Sequence, residues 1–400
     1  MNNFLAKKKR HAVAIIDIDL DKETHCKYLG LTVHLMVDSK DVTRLDVTAL
    51  VEYTSHGSQC LMYFETASKA TADYFILLEK DEDDRCKVND LVVALDWCIE
   101  NSVSLISLSM GTTQYSDASK LSNVMKRIDE AGICLISGAS NERHLSYPAC
   151  LNDAIGVCVD YANEMVKDRF VYIDDAYDGI DVVLNPKVLE NDFIHSNSMA
   201  TAYFSGMVAR AMNSEEVEPC NVRKWIIDNA GRIPNDLIYG YTLNAIVFEA
   251  TEDIVIIGID GLSSGEHVID FCRGLQDIFL RDEYHCLAIL PNSGLDEKGY
   301  SKSNKSIGFS GLGVSDFVRH EFVQPKSTRC SYTDYIKLIK KLCKPNVILV
   351  DFENTTIDYD VVIMNEMKTK RYGGTFIVPY GNNAPSDVFK QIVEYFDDKS

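Results

Sequence analysis

Ser198 stands in the run His195-Ser-Asn-Ser-Met-Ala-Thr-Ala202, with Gly206 four residues further on. The small side chains after it read as a helix able to sit close against a sheet, its first-turn amide donors facing the serine. Two readings are open: a reactive hydroxyl at the mouth of a packed helix, or an ordinary N-cap. Three upstream segments bear on the choice, and a fourth on the substrate. Val13-Ala-Ile-Ile-Asp17 ends an apolar strand on a carboxylate, at the edge where an open parallel sheet collects functional groups; the alternative is an Asp capping the next turn. Ser55-His56-Gly57-Ser58 puts an imidazole at the start of a helix, beside a glycine that permits close backbone approach; a structural histidine is the other reading. Ser137-Gly138-Ala139-Ser140-Asn141-Glu142 ends another strand with small residues and an amide, which alone also describes an Asn turn. Ser107-Leu-Ser109-Met110-Gly111 ends a strand in the same way, leaving an edge against which an extended peptide can pair.

The elements that must position these residues alternate between short apolar runs and helical patterns, as in a mostly parallel sheet covered by helices. Strands are expected at 12–16, 74–78, 105–108, 133–136 and 154–159, and helices at 88–100, 121–130, 199–211 and 221–230. The segment 238–246 reads as a closing loop. After Glu249-Ala-Thr-Glu-Asp253 a second α/β series begins, with strands at 254–257, 286–290, 347–350, 361–364 and 375–378 and helices near 266–280, 332–342 and 385–396. The expected organisation is therefore a first domain of residues 1–249 and a second of 250–400.

Composition narrows the partners. A net charge of −20 over 400 residues argues against nucleic acid and anionic membranes, both of which reward basic surfaces. The Lys7-Lys8-Lys9-Arg10 run reads as a solvated flank of the first strand. The apolar run behind it ends at Asp17, too short for a signal-peptide core or a membrane span. Twelve cysteines are scattered without CxxC pairs or regular spacing, and Cys98, Cys134 and Cys158 sit inside apolar segments. That usage points to buried free thiols in a reducing cytoplasm rather than to zinc or a disulfide framework.

The order Asp, His, Asn, Ser, each at a strand end or helix start, is the order of the subtilisin triad arrangement. The local sequences match as well. Val13-Ala-Ile-Ile-Asp17, Ser55-His56-Gly57-Ser58, Ser109-Met110-Gly111, Ala139-Ser140-Asn141-Glu142, Ser146-Tyr-Pro-Ala149 and Asn197-Ser198-Met-Ala-Thr201 resemble successive signature blocks of the subtilisin-like serine peptidases, across residues of about 12 to 248. Val92–Asn101 resembles the helix before their substrate-binding strand, and Gly179–Val182 the strand before the serine loop. The resemblance implies an α/β fold with a subtilisin-like parallel sheet flanked by helices. It also implies Ser198 as nucleophile, His56 as general base and then acid, Asp17 as the group orienting the imidazole, and Asn141 with the Ser198 backbone N–H as oxyanion donors. Ser107, Ser109, Met110, Gly111, Gly138, Ala139 and Ser140 would flank the bound peptide and its first side-chain pocket. Such chemistry needs a base for an otherwise unreactive hydroxyl and fixed donors where charge develops.

The departures are specific. Asp19 stands where the family has a glycine and adds a second negative charge near Asp17. Ser196-Asn197 replaces Gly-Thr before the serine, and Ala202 replaces a proline. The bulkier pair before Ser198 is expected to narrow the cleft or shift the nucleophile. The short stretch before the first strand leaves no room for the folding propeptide of secreted relatives, which fits an intracellular enzyme. The acidic run at 81–84 reads as a solvated loop rather than a calcium site, and no metal or cofactor is expected.

The second domain opens with a strand and a Gly-rich turn to Gly265, but Glu266-His267 follows where a phosphate cradle needs Lys and Ser or Thr. A P-loop-like or flavodoxin-like topology without nucleotide binding is expected, with a role in recognising a partner or precursor peptide. Lys368, Lys370 and the Gly373-Gly374 pair offer no sharper clue. The function expected is an intracellular serine endopeptidase of narrow specificity, as in peptide maturation or leader removal. The rival is a catalytically impaired protein that keeps the peptide cleft.

Overall fold

Every residue of Val13–Asp17 is buried, which a strand achieves only when helices cover both faces of its sheet. This strand, β1, opens a first compact unit, Met1–Ile238; a second unit spans Tyr239–Ser400. The computed structural model describes residues 11–232, apart from 39–40, 82–84, 115–116, 143, 161–167, 174–178, 190–192 and 215–216. It also describes 254–398, apart from 261–265, 283, 290–306, 309–320, 323–339, 341–344, 352–357, 365–375 and 380–383. The basic run at 7–10, most of the acidic run at 81–84, the segments 238–253 and 368–374, and nearly all of the helix expected at 332–342 fall outside the described residues. So does the domain boundary expected at 249/250.

The first unit continues with α1 (Lys22–Tyr28), β2 (Val33–Asp38), β3 (Asp41–Arg44), α2 (His56–Ser68), β4 (Tyr74–Leu78) and α3 (Val88–Glu100). Then follow β5 (Leu105–Leu108), α4 (Ala118–Glu130), β6 (Cys134–Gly138), β7 (Ile155–Val159), β8 (Phe170–Tyr172), β9 (Val182–Leu184), α5 (Asn197–Ser214) and α6 (Val222–Asn229). One nine-stranded sheet runs β3-β2-β4-β1-β5-β6-β7-β9-β8. Only the edge strands β3 and β8 are antiparallel to their neighbours. Counted in chain order, the parallel strands between those edges lie 2-3-1-4-5-6-7 across the sheet. The chain therefore leaves β1 toward one edge and leaves β5, its neighbour, toward the other. In open α/β sheets that reversal opens a crevice at the carboxyl ends of the two strands. Asp17 ends β1 and Ser109 follows β5, so the topology alone points to this place.

Two helices line the crevice. Their contact is close because α5 presents Ala200, Ala202, Ser205, Gly206 and Ala209 to the interior. A Cβ on Gly206 would stand 2.4 Å from the Phe64 carbonyl oxygen of α2, so only glycine allows this approach. The core on that face is filled by Phe64, Phe75, Leu61, Phe204 and Val208.

The five strands expected in the first unit are present with ends shifted by at most two residues, and the helix expected at 88–100 is α3 itself. The helix expected at 199–211 starts earlier, at Asn197, so Ser198 lies inside its first turn rather than before it. The β2–β3 hairpin, α1 and β8 were not anticipated. The apolar runs of β2 and β8 are short: His34 interrupts β2, and β8 is only Phe170-Val171-Tyr172, while β3 is a solvated edge of Asp, Val, Thr and Arg. Charged residues on an edge strand discourage further pairing.

The second unit holds β10 (Val255–Ile259), α7 (Glu266–Arg281), β11 (Cys286–Ile289), β12 (Ile307–Gly308), β13 (Glu321–Phe322), β14 (Val347–Asp351), β15 (Val361–Met364), β16 (Phe376–Pro379) and α8 (Pro385–Asp397). Its parallel five-stranded sheet has the order β11-β14-β10-β15-β16, or 2-3-1-4-5 within the sheet. β14 is inserted between β10 and β11, so the flavodoxin-like order 2-1-3-4-5, one of the two alternatives expected, is not the one adopted. Phe271, Leu275, Phe279, Val388 and Phe389 of α7 and α8 form the core beside it.

Candidate functional site

Asp17 is fully buried, and three donors meet its carboxylate. Ile18 N donates to Oδ1 at 2.8 Å, and His56 Nδ1 lies 3.0 Å from the same oxygen. The hydroxyl of Ser109 donates to Oδ2. A carboxylate only accepts, so this pairing places the imidazole proton on Nδ1 and leaves Nε2 as the basic nitrogen.

His56 is held by the start of α2. Ser55 is the N-cap, accepting from Ser58 N at 3.2 Å. Ser58 Oγ accepts from Asp21 N at 2.9 Å, which ties α2 to the chain leaving β1. Gly57 makes the approach feasible: a Cβ there would stand 2.1 Å from the Asp19 carbonyl oxygen. The hydrogen bond to Asp17 raises the pKa of His56 above its ordinary 6.5, with the charges of Asp17 and Asp19 adding to it; desolvation works the other way and loses.

Asp19, the unexpected second carboxylate, is spoken for. Its Oδ1 accepts from Gly57 N at 2.9 Å, one of the orphan donors at the α2 N-terminus, and Oδ2 lies 3.6 Å from Lys80 Nζ. It braces the helix carrying His56 rather than competing for the ring.

Ser198 sits half-buried in the first turn of α5, and its Oγ donates to the Ser109 carbonyl oxygen at 3.0 Å. Among the described residues no hydrogen bond joins it to His56. Ser109 thus touches both ends of the constellation, the carboxylate through its side chain and the serine through its backbone. Asn141 is exposed at the end of the β6 loop, and its Oδ1 accepts from Asn197 N at 3.2 Å.

The segments expected to flank a peptide divide into two groups. Ser107 is buried inside β5, paired on one side with Ile15 and on the other with Ile136. Both edges of β5 are taken as far as Leu108, so any free edge begins at Ser109, two residues later than expected. Gly111 lies under Tyr147, whose carbonyl oxygen a Cβ would meet at 2.7 Å, and Thr112 bonds Tyr147 N at 2.8 Å. On the opposite wall Gly138 ends β6, Ala139 N donates to Val157 O, and Ser140 N donates to Ser146 Oγ at 3.0 Å. Met110, Ala139 and Ser140 are partly exposed.

The Asn197 side chain does not narrow the cleft. It is 2% exposed and turned into the protein, bonded to Val159 N, Ala139 O and Ser140 O.

Cys60, one helical turn after His56, has its Sγ 4.0 Å from His56 Nδ1. Asp17, His56 and Cys60 form a group among the described residues whose ligand atoms are close enough for a metal ion. Burial pushes the Cys60 thiol well above its usual pKa, which keeps it protonated and unreactive. The other buried cysteines are free thiols too, including Cys98, Cys134 and Cys158, and burial drives Cys134 to about 12. Neither Cys60 nor the Ser109–Asp17 bond was visible in the sequence. Cys60 had a weak signal, its i,i+4 spacing from His56; Ser109 had none, being 92 residues from Asp17.

No protein-family model matches the chain, and no curated protein matches it. Among the solved structures similar to it are two proteases. One is described as "S41 Psychrophilic Protease", with 15% identity and a TM-score of 0.40, covering 55% of this chain and 82% of that one. The other is described as "Structure of Prenylagaramide maturation protease PagA", with 16% identity and a TM-score of 0.35, covering 62% of this chain and 85% of that one. No helix among the described residues is long and apolar enough to cross a membrane.

Proposed function

We propose that residues 1–238 form a serine endopeptidase domain with Ser198 as nucleophile, His56 as general base and then acid, and Asp17 as the orienting carboxylate. The observation that carries this reading is the Asp17–His56 hydrogen bond at the sheet's crevice, with Ser198 opening the helix that packs on α2. With Nδ1 committed to Asp17, Nε2 takes the serine proton as Oγ attacks the scissile carbonyl carbon. The tetrahedral oxyanion is met by the Asn141 side-chain amide and the Ser198 backbone N–H. His56 then returns the proton to the leaving amine, and water repeats the cycle on the acyl-enzyme. The Ser198 hydroxyl must first rotate from the Ser109 carbonyl to Nε2, a change of rotamer of the kind resting sites make when substrate binds.

Within the same reading, an extended peptide pairs with the edge from Ser109 to Gly111 and with the segment Gly138–Ser140. Specificity is narrow, as in leader removal or peptide maturation, the second unit selects the partner or precursor, and the setting is the cytoplasm. The chain's net charge of −20 supports peptide rather than nucleic acid or anionic membrane as partner. A second reading, a peptide-binding protein without turnover, is favoured by one observation: Ser198 bonds the Ser109 carbonyl instead of His56. A fluorophosphonate probe separates the two, since Ser198 Oγ displaces fluoride from phosphorus only if a base activates it. Labelling of the wild type that is absent from Ser198→Ala supports the peptidase. Folded wild type that stays unlabelled leaves the binding protein.

A further inference from the structure

We propose that Asn197 is a positioning residue that aims the Asn141 side-chain amide at the oxyanion; the inference rests on the peptidase reading above. Asn197 precedes the nucleophile and stands where the resemblance predicts a threonine. Its carboxamide makes three bonds inside the protein. Oδ1 accepts from Val159 N at 2.9 Å, while Nδ2 donates to Ala139 O and to Ser140 O, each at 3.1 Å. Its backbone N donates to Asn141 Oδ1 at 3.2 Å, and its carbonyl oxygen accepts from Thr201 Oγ1 at 2.7 Å.

These bonds clamp residues 139–141 to the helical turn that carries Ser198. Nucleophile and oxyanion donor are thereby held on one rigid piece. Asn141 is exposed, and an unrestrained surface asparagine samples several rotamers. Here the N–H of Asn197, an orphan donor at the start of α5, holds the Asn141 carbonyl oxygen. Because the amide nitrogen lies on the other side of Cγ, fixing the oxygen also fixes where the N–H bonds point. A threonine hydroxyl has one donor hydrogen and a shorter reach, so it could not bridge two carbonyls while accepting from Val159 N. The departure at 197 is thus a different way of preorganising the same donor.

The test combines a geometric readout with kinetics. The Asn141 side-chain amide signals are assigned in the NMR spectrum of the full chain by their loss in Asn141→Ala. In Asn197→Asp, which keeps the shape but loses the donors, these signals should broaden or move to solvent-like positions. With a peptide substrate, kcat should fall about 10²-fold with KM nearly unchanged. In the Asn141→Ala background the same change should cost almost nothing further, because its effect runs through Asn141. Asn197→Thr serves as a second variant should the aspartate not fold. Unchanged Asn141 signals, or losses in kcat that multiply between the two positions, would overturn the proposal. A wild type without Ser198-dependent turnover would instead sink the peptidase reading, and the amide signals would still decide whether Asn197 holds Asn141.

Discussion

Acid should destabilise the first unit through a buried histidine pair near the helix that carries His56. His25 of α1 and His34 of β2 are both buried, with their Nδ1 atoms 2.6 Å apart, so one donates and the other accepts. Phe75 packs edge-on against His34, and among the described residues His34 Nε2 has no hydrogen-bond partner. Desolvation, with the His25 charge adding to it, lowers the His34 pKa from 6.5 to about 4. The sign follows from linkage. Below pH 6.5 the unfolded chain takes up a proton that the folded ring refuses until about pH 4, so stability falls across that window and is unaffected above it. At about 1.4 kcal/mol per pH unit the loss is roughly 3 kcal/mol. For a unit of this size that corresponds to a fall in Tm of roughly 6–12 °C.

The perturbation is His34→Leu, read by thermal unfolding of both proteins at several pH values from 7.5 to 4. The variant starts less stable at neutral pH, because His25 loses its partner, but its curve should be flatter by roughly 3 kcal/mol over the window. Parallel curves would refute the reasoning and assign the acid sensitivity to carboxylates elsewhere. The consequence reaches the site. Asp21 caps α1 through Thr24 N at 2.7 Å and receives Ser55 N at 3.4 Å, so loosening this corner loosens the cap beside His56.

Four further outcomes are expected. The raised pKa of His56 places the acid limb of kcat/KM above pH 6.5, since only the neutral ring is a base; Asp17→Asn should move the limb down and cut kcat about 10⁴-fold. By the same sign, the Asp17 pairing stabilises the fold fully below pH 6.5 and fades as pH rises through the raised value, which thermal unfolding of the variant would read. Asn141→Ala should lower kcat about 10²–10³-fold with little change in KM, as a lost oxyanion donor does; unchanged turnover would remove it from the mechanism. Gly57→Ala should abolish labelling by the fluorophosphonate probe, because its Cβ would stand 2.1 Å from the Asp19 carbonyl oxygen and push α2 and His56 away from Asp17.

The reach of the sequence follows from the range of the forces involved. β1, β4 and α3 were legible because continuous apolar runs and helical periodicity are local consequences of burial. Asp17, His56, Asn141 and Ser198 lie at or just beyond the ends of such elements, but each alone read equally well as a cap, a turn or a structural residue; their order along the chain and the resemblance singled them out. The hairpin of β2 and β3 was not legible, since His34 interrupts the short apolar run of β2 and the solvated edge strand β3 has no apolar pattern. Partnerships over long separations belonged to the fold alone. Ser109 on Asp17, Asp19 on the α2 N-terminus and the three bonds of Asn197 join residues tens of positions apart, and no local pattern records them. Local patterning was enough to put Asp17 at the end of β1 and His56 and Ser198 in the first turns of α2 and α5. Ser196-Asn197 read as an obstruction beside the nucleophile; in the folded chain Asn197 is a brace turned inward, because a carboxamide's worth depends on which backbone groups surround it.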